Sequence, residues 1–150
     1  MKGVRDMKLT TNLTFENAIK QHEEKYNCKY YHEQLIELRH GFEKGLDISS
    51  YANPDFEHIQ MKVIREGLEK GLDVSVYAKL EFDLFQMREL AKGLENKVDV
   101  ELYAHSAYDA HHMQVIRLYL ERNLDVSHLL RENIHYLELK RLEQLLSSVV

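Results

Sequence analysis

Residues 60–78 read QMKVIREGLEKGLDVSVYA, and closely similar stretches lie 26 residues to either side, QLIELRHGFEKGLDISSYA at 34–52 and QMRELAKGLENKVDVELYA at 86–104. Gln34, Gln60 and Gln86 fall in register, as do Gly41, Gly67 and Gly93, and then Tyr51, Tyr77 and Tyr103, each followed by an alanine. Asp47, Asp73, Asp99 and Asp125 carry the register into a fourth copy, as do Glu43, Glu69, Glu95 and Glu121. The spacing divides the chain into units 28–53, 54–79, 80–105 and 106–131 and a half unit 132–150, with 1–27 outside them as an N-terminal capping segment. Repetition at such a period marks stacked supersecondary units, none of which can bury its apolar face alone.

Each unit reads as one long helix and one short one. In the second copy Asn53 is placed to cap a helix with Pro54 at its first position, where the missing N–H is harmless. Gly71, with Gly45 and Asn123 at the same position, tolerates the left-handed conformation that ends a helix near Lys70. Lys97 stands at that position in the third copy, which predicts a different helix end there. Asp73 and its equivalents then suit the start of a short turn of helix through Val74 to Ala78. At about 100° per residue, Phe56, Gln60, Met61, Ile64, Gly67 and Leu68 share one face, while Arg65 and Glu69 fall outside it towards solvent.

The expected fold is therefore all-α, an α-solenoid of long-helix/short-helix 26-residue repeats. Phe56, Phe82 and Tyr108 should occupy equivalent interior places. An N-terminal capping helix is expected to start at Thr14, with Phe15, Ala18, Ile19, His22 and Tyr26 at helical spacing. Ile134, Leu139, Leu142 and Leu146 fill the core columns of the half unit. Composition agrees: of 150 residues one is proline, six are glycine and none is tryptophan, a balance that favours helix.

The same arithmetic narrows function. A net charge of −5 disfavours a broad polyanion-binding face, so no direct nucleic-acid binding is expected. A single cysteine, Cys28, and the lack of a signal-like or membrane-spanning apolar run point to a cytoplasmic protein without membrane association. Nine histidines invite a metal, yet His105, His111 and His112 lack the spacing of a ligand set. No nucleophile elbow or phosphate-cradling glycine loop occurs, so neither catalytic residues, cofactor nor metal is assigned.

The repeated polar residues have structural duties to explain them. A buried glutamine needs partners, and the backbone of the neighbouring Gly-Leu-Asp-Val turn is the expected one. His112 and Glu138 take that column in the last copies. Glycines within a helix cost about 1 kcal/mol each relative to alanine, which a close approach by another element would justify. Tyr119 and Leu145 replace the glycine later, so there the spacing should widen or the facing residue shrink.

Columns that change from copy to copy are released from that demand. They are Tyr31, Glu57, Asp83 and Asp109; His32, His58, Leu84 and Ala110; Ile36, Lys62, Arg88 and Gln114; and His40, Glu66, Lys92 and Leu118. Solenoids bind proteins across faces built from such positions. Tyr31, His32, His58, Lys62, Glu66, Arg88 and Lys92 are the candidate protein-binding residues.

The pattern Gln-Met-x-x-Ile-Arg-x-Gly-Leu-Glu-Lys-Gly-Leu-Asp-Val-Ser-x-Tyr-Ala, Gln60 to Ala78, resembles an uncharacterised helical repeat of proteins from Gram-positive bacteria, their phages and conjugative elements. That resemblance implies an inhibitor of host defence, of the anti-CRISPR or antirestriction type, whose partner is another protein such as a defence effector. The expected function is thus a non-catalytic protein-binding module. Two rivals are a structural protein that forms homo-oligomers, marked by an apolar patch at an end repeat, and a small hydrolytic enzyme, marked by a deep polar pocket confined to one repeat.

Overall fold

The computed structural model describes the backbone of residues 3–148 and the side chains of residues 14–148. Among the described residues there are six α-helices, four 3-10 turns and no strand. Helix α1 spans Gly3–Tyr26, α2 His32–Glu43, α3 His58–Glu69, α4 Leu84–Glu95, α5 Ala110–Glu121 and α6 Tyr136–Ser148. The first residues of α2 to α6 thus keep the 26-residue interval. Short 3-10 turns follow α2 to α5 at Ile48–Ser50, Val74–Val76, Val100–Leu102 and Ser127–Leu129. The chain forms two compact units, 1–65 and 66–150, and the boundary in sequence falls within α3.

In the first unit, α1 runs straight through Thr14, which is an interior residue and not a cap. Phe15 and Ile19 are buried, and the Phe15 ring meets that of Phe42 edge-on at 5.3 Å while the Arg39 guanidinium lies 4.3 Å above it. In the second unit, α4 packs against α5 and α5 against α6. Tyr30, Phe56, Phe82 and Tyr108, one per copy, are all buried, as the repeat requires.

Helix α3 begins at His58, four residues after the start expected from Pro54. Asn53 instead closes a tight turn, its Oδ1 accepting from Asp55 N at 2.9 Å and its carbonyl from Phe56 N at 3.1 Å. The true caps lie in the column Tyr31, Glu57, Asp83 and Asp109. Asp83 Oδ1 accepts from Gln86 N at 2.8 Å while Gln86 Oε1 accepts from Asp83 N at 2.9 Å, a reciprocal capping box. Asp109 likewise accepts from His112 N at 2.8 Å. This column, taken from sequence as free to vary, is therefore partly held by the backbone.

The ends of the helices are uniform, against the expectation for the third copy. Lys97 adopts φ 58°, beside 71° for Gly45 and Gly71 and 55° for Asn123. Its N–H donates to Leu94 O and that of Val98 to Gly93 O, the bonds that Gly71 and Leu72 make one copy earlier. The repeated packing overrides the preference of one side chain. A left-handed L-residue costs about 1–2 kcal/mol, of which glycine would give back part through its freer unfolded chain. Lys97→Gly should therefore raise stability by about 0.5–1 kcal/mol, read as a higher urea midpoint at unchanged slope.

Of the four aspartates expected to start the short turns, Asp47, Asp73 and Asp125 accept from the N–H of Ser49, Ser75 and Ser127 at 3.0–3.2 Å. Asp99 holds the position without a side-chain bond. Its copy has Glu101 where the others have serine, which removes the hydroxyl donor and adds a like charge.

Candidate functional site

Three sets of repeated side chains use up one another. The glutamine is the first: Gln34 Nε2 donates to Pro54 O at 2.9 Å and Phe56 O at 2.8 Å, and Gln86 Nε2 donates to Ser106 O at 3.1 Å and Tyr108 O at 2.7 Å. The acceptors belong to the turn that leads into the next helix, not to the Gly-Leu-Asp-Val turn. The glutamine reaches forward because it sits at the third helical position, where its Oε1 already accepts the cap N–H. His112, with one ring nitrogen to offer in that direction, places Nε2 2.7 Å from Leu129 O.

Glycine and tyrosine form the second set. A β-carbon on Gly41, Gly67 or Gly93 would overlap the hydroxyl of Tyr51, Tyr77 or Tyr103. The approaching element is thus the short turn of the same copy. Tyr51 Oη donates to Glu37 O at 2.8 Å and Tyr103 Oη to Glu89 O at 3.2 Å. In the fourth copy Tyr119 takes the glycine column and Leu129 the tyrosine column, so the facing residue does shrink, and Tyr119 Oη donates to Leu142 O at 3.0 Å.

The third set was missed. Arg65, expected near solvent, and Arg117, at the same position two copies later, are only 8% and 7% exposed. Arg65 Nε donates to Glu37 and Arg117 Nε to Glu89, both at 2.8 Å, each across one copy. Arg117 Nη1 also reaches Glu121 at 2.6 Å. Burial would pull the Arg117 pKa down, but the bonds to Glu121 and Glu89 outweigh it and raise it. Burial likewise works against the Glu121 carboxylate, and bonds from Asn96 and Arg117 still hold it below the usual range. The signal lay in the sequence as a recurrent spacing: Glu37 with Arg65 and Glu89 with Arg117, both 28 residues apart.

Buried phenols set the response to base. Burial is the largest influence on Tyr30, Tyr77 and Tyr103 and pushes each well above the ordinary 10.0. The fold holds the neutral form, so the stability it contributes is whole below about pH 10 and is lost as pH rises through the raised values. In an alkaline titration, phenolate absorbance from these residues should appear only as helical circular dichroism disappears.

The candidate binding residues are placed as follows. Tyr31 lies at the start of α2, its hydroxyl accepting from His58 N at 3.0 Å and standing 3.5 Å from His58 Nδ1, with the two rings edge to face at 6.1 Å. His32 and Lys62 are exposed, and Glu66 is half-buried. Arg88 and Lys92 are exposed on α4. Arg88 stands 5.8 Å above the ring of Phe85, and Lys92 Nζ lies 3.1 Å from Glu89.

Arg88 and Lys92 belong to a cleft of about 330 Å³ between α4 and α5, completed by Phe85, Glu89, Ala110, His111 and Gln114. Phe85 is 62% exposed. His111 Nε2 lies 3.0 Å from Glu143 and its ring 5.5 Å from that of Tyr136, while its Nδ1 is, among the described residues, a buried polar atom without a hydrogen-bond partner. Such an atom costs about 1–3 kcal/mol. Phe85 and His111 come from the column Glu33, Ile59, Phe85, His111 and Leu137, which sequence reasoning passed over. Its signal was an apolar residue about 300° from Phe56 in the second copy, outside the buried stripe.

A larger cleft, about 640 Å³, opens at the other end of α4 and α5 around Asn96, Asp99 and Glu121. Two of its polar groups bond to each other, Asn96 Nδ2 donating to Glu121 at 2.7 Å. Among the described residues no three metal-ligating side chains converge, and no helix is long and apolar enough to cross a membrane. No family model, curated protein or solved structure matches the chain.

Proposed function

We propose that this chain is a non-catalytic α-solenoid that binds another protein through its outward, copy-specific side chains. The supporting observation is a division of labour. The repeated Gln, Tyr, Arg and Glu side chains bond to neighbouring copies or to their own turn, and the repeated Gly makes room for the Tyr ring, while Ile36, Lys62, Phe85, Arg88 and Lys92, which differ between copies, are exposed. Aromatic and arginine side chains exposed together are the composition of interface hot spots. The likeness of Gln60–Ala78 to repeats of phages and conjugative elements supports a cytoplasmic inhibitor of a host defence effector.

The test is affinity capture from the bacterium that carries the gene. The wild-type chain is compared with a variant in which Ile36, Lys62, Phe85 and Arg88 are replaced by serine. One protein recovered in stoichiometric amount with the first and lost with the second is expected. Identical recovery with both, or none with either, overturns the reading.

A second reading, self-assembly, is favoured by α6, which exposes Tyr136, Leu137 and Leu145. On that reading sedimentation reveals larger species with rising concentration, and Leu137→Glu abolishes them. A concentration-independent monomer removes it.

A further inference from the structure

We propose that the cleft between α4 and α5 seats an acidic segment of the partner protein, with a carboxylate beside Arg88 and Lys92 and an apolar side chain against Phe85. This rests on the protein-binding reading and adds the chemistry of what is bound.

Charge complementarity is the main argument. The chain carries a net charge of −5, yet the exposed charges of this cleft are cationic. Glu89, the one acid lining it, is 7% exposed and already bound to Arg117 at 2.8 Å and Lys92 at 3.1 Å. Arg88 has no ion pair among the described residues, and the Phe85 ring lies beside it. At 5.8 Å from the ring centroid the exposed guanidinium is within cation–π range, and its planar edge suits a carboxylate in a forked pair.

Phe85 supplies the apolar half. Exposed as it is on the rim of a concave site, it offers a rigid surface for one aliphatic or aromatic side chain. Gln114 adds an amide for the polar backbone of an extended segment. The volume, about 330 Å³, is at the small end of ligand sites and fits a few side chains. Two cations beside a carboxylate in an acidic chain do not make a track for a polyphosphate backbone.

The test is selection of a random-peptide phage library on the immobilised full chain, followed by affinity measurement of the enriched peptides. Peptides with an aspartate or glutamate close to an aliphatic or aromatic residue are expected. Arg88→Glu should weaken them by about tenfold or more and Phe85→Ala by a similar factor, with helicity and melting temperature unchanged. Exchanging the peptide's acid for lysine should restore binding to Arg88→Glu alone. Neutral or basic consensus peptides, no enrichment, displacement by a single-stranded oligonucleotide, or affinity for both variants unchanged from that of the wild-type chain would overturn the assignment. Peptides that bind elsewhere on the chain leave the protein-binding reading intact. Failure of the capture experiment with successful peptide binding counts against that reading alone.

Discussion

Gly93→Ala lowers the stability of the unit 66–150 by about 3 kcal/mol, far more than the usual glycine-to-alanine change in a helix, which is stabilising. The reason is the Tyr103 phenol. An added β-carbon would overlap its hydroxyl, lie 3.1 Å from its Cζ and 2.7 Å from a Val100 methyl. Relief requires the ring to move, which also breaks its bond to Glu89 O at 3.2 Å. Overpacking costs about 1–3 kcal/mol and the lost hydrogen bond about 1. In a unit of this size that corresponds to a fall of roughly 12–24 °C in melting temperature. The double variant Gly93→Ala, Tyr103→Phe should recover part of the loss, because the hydroxyl that makes the worst overlap is gone. Urea melts of the single and double variants check both statements. An unchanged midpoint for Gly93→Ala would show that the helix and its short turn can separate freely.

Arg117→Ala carries the other large effect, a loss of about 3–5 kcal/mol, since it leaves the buried Glu89 carboxylate with Lys92 as its remaining cation. The reverse change, Glu89→Val, costs less because Arg117 keeps Glu121 at 2.6 Å. Replacing a buried ion pair by apolar groups is often neutral. The double variant Glu89→Val, Arg117→Ala is therefore expected to recover more than half of the loss caused by Arg117→Ala. A double-mutant cycle from thermal or urea melts measures the coupling, and additive effects would mean that the pair contributes nothing as a pair.

Much of this was legible before any coordinates. The repeat interval set where α2 to α6 begin relative to one another, and the glycines and Asn123 marked the helix ends. Pro54 misled because it sits four residues before α3, in a turn that the other copies make without proline. The capping box could have been read correctly, since Asp83 and Gln86 stand at its characteristic spacing. Arg65 and Arg117 could not be placed from helix phase alone. Whether a residue beside the apolar stripe is wet or dry depends on the neighbouring copy, which here offers Glu37 and Glu89. The cleft was half visible: Arg88 and Lys92 were identified by their variability, whereas Phe85 and His111 were not.

The sequence by itself determined which side chains repeat, the helical class and the register, because these follow from backbone stereochemistry and local periodicity. Only the tertiary structure decided that each glycine receives its own tyrosine, that the glutamine reaches forward to the next turn, that Lys97 takes a left-handed conformation, and that Phe85, Arg88 and His111 border one cleft. Those outcomes depend on distances between segments far apart in the chain, where packing and desolvation outweigh the preferences of any single residue.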